Sequence, residues 1–245
     1  MKKVLKILFW LFIATILWVV VLKYVPICYT PVMLRRSIEY VADGRDYKFR
    51  KQWEPIDKID HKMVLAVVAS EDNLFMTHSG FDVESMKKAY ERSKKGKKVW
   101  GGSTISQQTA KNVFTFGTRT YFRKAVEAYF TFLIEIIWGK ERIMEVYLNV
   151  IETGTNTYGV EAASKAYFNH SSKKMSAYEA ALIAAALPSP RKYSVSNPGP
   201  YMRKRASQVQ GLMYKIAPVE FTELIDEIVK EFEKVLNKKV PEKNS

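Results

Sequence analysis

The sequence predicts a mainly α-helical body behind one N-terminal membrane-spanning helix. Three observations carry this. Residues 7–22 read ILFWLFIATILWVVVL without a single charge, about 24 Å of helix and close to the thickness of a bilayer core. Beyond residue 60, apolar residues recur at helical spacing or run continuously in 63–75, 121–138, 142–150, 159–168, 177–187, 201–215 and 221–236. Few segments alternate in the manner of a half-buried strand.

The apolar run decides how the charge is read. Lys and Arg number 39 against 25 Asp and Glu, a net charge of +14, which alone would suit nucleic acid, anionic lipid or another acidic partner. Trp10 and Trp18 are placed to anchor the span at an interface. A cleaved signal peptide would share the basic start, but VPICYTP at 25–31 holds no small-x-small cleavage site and Cys28 lacks the neighbours of a lipoprotein box. Lys2, Lys3, Lys6 and the amino terminus precede the run, whereas only Lys23 follows it before Arg35. The expected topology has the start in the cytoplasm and the body outside the inner membrane, which argues against nucleic acid. From residue 35 onward 35 basic residues face 25 acidic ones, a balance suited to a phosphorylated substrate at a membrane surface.

One cysteine makes no intrachain disulfide, and His61, His78 and His170 have no metal-ligand spacing. The expected organisation is a cytoplasmic start and span over 1–23, a connector over 24–54, the main domain over 55–215, and a C-terminal helix with a basic tail over 216–245. The connector carries Pro26, Pro31, Gly44 and Pro55 around an amphipathic piece at 33–41. Residues 87–102, KKAYERSKKGKKVWGG, are either a solvated loop or an arm over an anionic headgroup. Residues 188–200 hold four prolines and read as a stiff connection over the surface.

Glu71 ends an almost unbroken apolar helix. Burial and the negative end of the helix dipole both favour its neutral form, so its pKa should rise toward the range of a general acid or base. Phe75 is placed to wall it from water and His78 to orient it, although a frayed surface helix end would carry the same residues. The segment GGSTISQQTAKN at 101–112 has Gln107 three residues after Thr104, a capping-box pattern. Such a start is a plain cap, or it also offers N–H groups and hydroxyls to an anion or sugar. Arg123, Lys124 and Glu127 stand at helical spacing, where a surface ion-pair ladder is one reading and a diphosphate site among Phe114, Phe116, Tyr121, Phe122 and Phe130 is the other. The aromatics around Phe114 to Phe122 are expected to dip into the outer leaflet.

Taken in order, five blocks resemble the glycosyltransferase domain of peptidoglycan polymerases, family 51, in its monofunctional form. They are Glu71-Asp-x-x-Phe75-x-x-His78-x-Gly80; Gly102-Ser-Thr-Ile-x-Gln107-Gln108-x-x-Lys111-Asn112; Arg123-Lys124-x-x-Glu127; Lys140-x-x-Ile143-x-Glu145-x-Tyr147-Leu148-Asn149; and Gly159-Val-x-x-Ala162-Ala163-x-x-Tyr167-Phe168. The resemblance covers roughly residues 55–215. Ser106 and Met144 depart from the commoner Thr and Leu.

The resemblance implies a lysozyme-like, two-lobed, mainly α domain, its smaller lobe near residues 81–120, and polymerisation of lipid II into β-1,4 glycan with inversion. It implies Glu71 as general base and Glu127 as a second essential carboxylate near the leaving diphosphate, with Asp72, Phe75 and His78 in support. Lys111, Arg119, Arg123 and Lys124 fall on or near diphosphate-binding positions, and Ser103, Thr104, Gln107, Gln108 and Asn112 fall in the cleft. Glu145, Tyr147 and Asn149 read as structural. A divalent cation, Mg²⁺ or Mn²⁺, is the one cofactor the resemblance allows, at Glu127; no organic cofactor is implied. Its partners would be lipid II, the lipid-linked growing glycan, the membrane, penicillin-binding transpeptidases and division proteins. A KTG motif is absent, so no transpeptidase is expected in this chain. A glycan-cleaving hydrolase or a silent scaffold are the alternatives; neither has a use for a basic cluster beside two carboxylates.

Overall fold

The computed structural model describes residues 2–44, 49–94, 102–118, 120–216 and 219–221. Helix α1, Lys2–Tyr24, is the expected span, and among the described residues it alone is long and apolar enough to cross a membrane. The connector is more ordered than its prolines suggested: α2, Pro31–Ala42, starts on Pro31 and is capped by Thr30, whose hydroxyl accepts from Met33 N–H at 3.2 Å.

The core is built around two buried helices, α3, His61–Glu71, and α9, Ala177–Ala186. Residues 180–186 of α9 are all buried and mostly alanine, so α3 and the later α10, Pro200–Met213, pack closely against it. The remaining helices are α4, Val83–Lys94; α5, Ile105–Phe114; α6, Tyr121–Ile137; α7, Gly139–Val150; and α8, Val160–Phe168. The sequence-based bounds of α6, α7 and α8 held to within a few residues because their apolar residues keep helical spacing. Helix α5 carries the expected capping box, and α9 has a second one from Ser176 and Glu179.

Three short strands were not foreseen. β1, Arg50–Lys51, runs parallel to β3, Thr157–Tyr158, which pairs antiparallel with β2, Glu152–Gly154. Two or three residues are too few for an alternating pattern, and β1 is formed only by its long-range pairing with β3. Residues 87–94, read as a solvated loop or an arm, are the end of α4, which has no buried residue; 95–101 lie outside the described residues. Helix α5, placed by sequence in the smaller lobe, instead packs in the core against α6 and α7. The C-terminal helix expected at 221–236 lies outside the described residues except for Phe221.

Helix α1 docks on the body instead of standing free. Thr15 Oγ1 and Tyr129 OH share a hydrogen bond of 2.7 Å, Trp138 Nε1 donates to Val19 O at 2.8 Å, and Arg142 Nη2 donates to Leu22 O at 2.8 Å. Phe114 belongs to this joint: it stacks on Phe130 at 4.1 Å and meets Trp18 edge-on at 6.0 Å. That corrects its expected role as a leaflet-dipping side chain and gives Trp18 a docking contact. Phe116, Phe122, Phe132 and Ile136 are exposed.

Gly80 shows how tightly the body holds the loop after α3. Its φ is +86°, and an added Cβ would come within 2.9 Å of Glu135 Cγ and Thr131 Cγ2. Gly80→Ala should therefore cost about 2 to 4 kcal/mol from strain and overpacking. Urea unfolding of the two proteins checks this; equal midpoints and slopes would show that the loop yields freely.

Candidate active site

Glu71 is the last residue of α3, and Asp72 turns the chain away. The Asp72 carboxylate is buried; it accepts from Ile105 N–H at 2.9 Å and bonds His78 Nε2 at 2.9 and 3.0 Å. One side chain thus ties the end of α3 to the first turn of α5, where an anion is favoured by the dipole. His78 therefore orients Asp72, not Glu71 as the sequence suggested. Its other ring nitrogen, Nδ1, accepts from Gly80 N–H at 3.1 Å. Phe75 is fully buried, edge-on to His78 and 4.6 Å below the Lys140 ammonium.

Glu71 remains available to a ligand on one side. Gln108 Nε2 donates to its Oε2 at 3.0 Å, and burial pushes its pKa up against the opposing pull of that bond, Arg205 and Lys111. Behind Gln108 stands Tyr147, fully buried, whose hydroxyl reaches Gln108 Oε1 at 3.5 Å. Burial also raises the Tyr147 pKa far above its usual value, which keeps the phenol protonated as a donor. Tyr147 thereby supports the amide facing Glu71, beyond the packing role read from its spacing. Asn149, from the same helix, bonds both backbone groups of Glu54, and Glu145 accepts from Ile56 N–H, so those two do pin the connector.

The cleft-lining expectation divides at the α5 cap. Thr104 Oγ1 accepts from Gln107 N–H and donates to Gly80 O, while Gln107 Oε1 accepts from Thr104 N–H. Gln107 is buried and spent on the cap, so its expected contact with substrate is corrected to a structural one. Ser103 is exposed at the rim, and Asn112 Nδ2 is held by Gln108 O at 2.9 Å.

Two cavities meet at Ser103. The smaller, about 260 Å³, is lined by Glu71, Thr104, Asp82, Ser85, Lys88 and Arg92 among others. The larger, about 730 Å³, is lined by Gln108, Lys111, Asn112, Arg123, Lys124 and Glu127 along one wall. Glu127 is buried and paired through both oxygens, with Arg123 and with Lys124. The ladder expected on a surface is thus folded into the cavity wall. Burial lowers the Lys111 pKa, offset by Glu127. Arg119 lies outside the described residues.

Sequence reasoning missed other lining residues of the larger cavity. Arg35 and Arg36 of α2 and Arg191 and Lys192 after α9 line the larger cavity, and Arg205 of α10 acts on Glu71. The doublets at 35–36 and 191–192 were visible, but only packing brings the connector and the proline-rich loop to one cleft. Glu127 does not fit a divalent cation in this arrangement. Both oxygens already face cations, and among the described residues no three His, Cys, Asp or Glu side chains come together.

This geometry can be set beside known proteins. The family model described as Transglycosylase matches residues 38–214. A protein of Bacteroides thetaiotaomicron named biosynthetic peptidoglycan transglycosylase is 45% identical over 226 residues, covering 89% of this chain and 91% of its own length. Proteins with the same name from Shewanella oneidensis and Caulobacter vibrioides are 44% and 47% identical. They cover 87% and 78% of this chain and 91% and 81% of their own lengths. With a buried-end carboxylate, a capped Gly-Ser-Thr start and a basic cavity held in one fold, the chain belongs to the transglycosylase family.

Proposed function

We propose that this chain is an inverting peptidoglycan glycosyltransferase, polymerising lipid II into linear β-1,4 glycan and releasing undecaprenyl diphosphate. The observation that carries the reading is the junction at Gln108 and Ser103. A carboxylate with a raised pKa lines one cavity there, and a wall of cations lines the next. The names borne by the relatives support the same chemistry.

In this mechanism the acceptor sugar occupies the smaller cavity, its 4-hydroxyl on the free oxygen of Glu71. Glu71 takes the hydroxyl proton as the oxygen bonds to the anomeric carbon of the donor, and the bond from that carbon to the diphosphate breaks on the far side. The departing diphosphate lies in the larger cavity, where Lys111, Arg123 and Lys124 absorb its charge. Glu127 holds Arg123 and Lys124 in position, and Arg119 is assigned to the same group. Ser103 and Asn112 bind sugar or phosphate oxygens at the junction. No step runs through a divalent cation, because Glu127 is committed to its two ion pairs.

Helix α1 serves as a single-pass anchor in the inner membrane. The basic residues before it favour a cytoplasmic N-terminus, and the body then lies outside. Because α1 docks through Thr15, Val19 and Leu22, the exposed Phe132 and Ile136 of α6 ride beside the span and suit contact with lipid tails. A substrate whose lipid stays in the bilayer would reach the cleft from that side. Penicillin-binding transpeptidases and division proteins are the partners that crosslinking of its product would need.

Purified protein incubated with labelled lipid II should give a ladder of muramidase-sensitive chains. Glu71→Gln should lower turnover by about 10²-fold or more while leaving lipid II bound. A raised folded pKa means that ionised Glu71 costs stability as pH rises through that pKa, so the uncharged Gln should leave the protein at least as stable at neutral pH. An active Glu71→Gln enzyme, or cleavage of preformed glycan in place of lipid II, would sink the reading.

The acid limb of kcat/KM should lie above the ordinary carboxylate range, because the base must be ionised and burial raises its pKa. Gln108→Leu removes the bond that opposes this shift and should move the limb to still higher pH. A pH–rate profile with both limbs coincident would remove Gln108 from the base's environment.

A further inference from the structure

Glu135, in the last turn of α6, lines neither cavity, yet three segments converge on one of its oxygens. Ser106, fully buried in the first turn of α5, donates its hydroxyl to Glu135 Oε1. Lys140 Nζ, from the start of α7, donates to the same oxygen at 2.8 Å and to His78 O at 2.6 Å, with the centre of the Phe75 ring 4.6 Å away. The Glu135 and Lys140 side chains are only 10% and 19% exposed. On a continuous helix positions 135 and 140 would point about 140° apart. Gly139, at φ +76°, separates α6 from α7 and lets Lys140 fold back onto Glu135.

A largely buried ion pair adds little net stability over apolar side chains of the same shape, which would hold these helices together as well. Its distinctive contribution is direction. Ser106 stands two residues before Gln108, so its bond to Glu135 fixes how α5 is rotated about its axis, one residue beyond the point where Asp72 holds Ile105 N–H. The Lys140 bond to His78 O fixes the loop after α3, where the His78 ring holds Asp72, the neighbour of Glu71. One carboxylate oxygen therefore braces both sides of the 3.0 Å bond between Gln108 Nε2 and Glu71 Oε2. A small rotation of α5, or a shift of the loop, opens that bond without touching a ligand.

We infer that Glu135 and Lys140 are positioning residues for the glycosyl transfer, acting through Ser106 and His78 to keep Gln108 bonded to Glu71. The inference rests on the polymerase reading for what Glu71 then does, though not for the geometry.

The test uses Ser106→Ala, which cuts the α5 arm and leaves the ion pair, and Lys140→Met, which cuts the loop arm. Titration of the Glu71 carboxyl is followed by carbon NMR on the full-length chain in neutral detergent, its signal assigned by its loss in Glu71→Gln. The charges acting most on Glu71 are Arg205 from α10, Lys111 from α5 and the adjacent Asp72, and neither substitution changes them. Burial raises the Glu71 pKa and the Gln108 bond lowers it, so losing that bond should move the midpoint to higher pH, by up to about one unit. In a Gln108→Leu background neither substitution should move it further. A general loosening of the fold would instead admit water and lower the midpoint in both backgrounds. Ser106→Thr, which keeps the hydroxyl, should keep the native midpoint.

Lipid II turnover on the same preparations should fall roughly tenfold in kcat with KM nearly unchanged, since the base is displaced and the binding walls are not. A midpoint unchanged or lowered in Ser106→Ala, equal shifts in the two backgrounds, or a native kcat in a chain that polymerises would overturn the inference. Should Lys140→Met fail to fold, Ser106→Ala, which removes one hydroxyl, decides. A native chain that leaves lipid II untouched would remove the polymerase reading, and the titration would still read the brace.

Discussion

The buried Asp72 carboxylate is the constraint on which the site depends. It accepts from Ile105 N–H and His78, and so joins the end of α3 to the start of α5. Removing it would leave an uncompensated N–H at a helix start and an untethered imidazole in the interior. Everything that faces the ligand is hung on that joint. Glu71 lies one residue before Asp72, Ser103 and Thr104 immediately precede Ile105, and Gly80 is clamped between His78 and Thr104. The capping box then consumes Gln107 and frees Gln108 to meet Glu71.

Two opposite electrostatic arrangements stand a few side chains apart. Around Glu71 burial favours the neutral form, so the carboxyl is poised to hold or release a proton. In the larger cavity the Glu127 carboxylate is shared between Arg123 and Lys124. A reaction that moves a proton on one side and expels an anion on the other has use for both. Tyr147 and Gln108 form the divide, one buried behind the other.

The anchor is part of this architecture. Helix α1 is held by Trp138, Tyr129 and Arg142, all from the helices that also carry or follow the cation wall. Helix α2 lies close enough to Gly117 that an added Cβ there would meet Val32 at 3.2 Å and Arg35 Nη2 at 3.6 Å. Helix α1, connector and cleft are therefore one packed unit, joined by side-chain contacts.

Much was legible in the chain because the signals are local. The uncharged run ahead of Lys23, the apolar periodicity of α6 and α7, and the Thr104–Gln107 cap each depend on residues within a few turns of one another. The raised pKa of Glu71 followed from its place at the end of an apolar helix. Tertiary structure decided what depends on distant partners. The β1–β3 pairing joins residues a hundred positions apart, and Phe114 left the surface to stack on Phe130 and meet Trp18 edge-on. His78 turned to Asp72, Gln107 was spent on the cap, and Arg35, Arg36, Arg191 and Lys192 met across one cavity. Periodicity and caps are short-range and leave a mark in sequence; burial, ion pairing and the meeting of remote loops are set by packing, which a linear pattern does not encode.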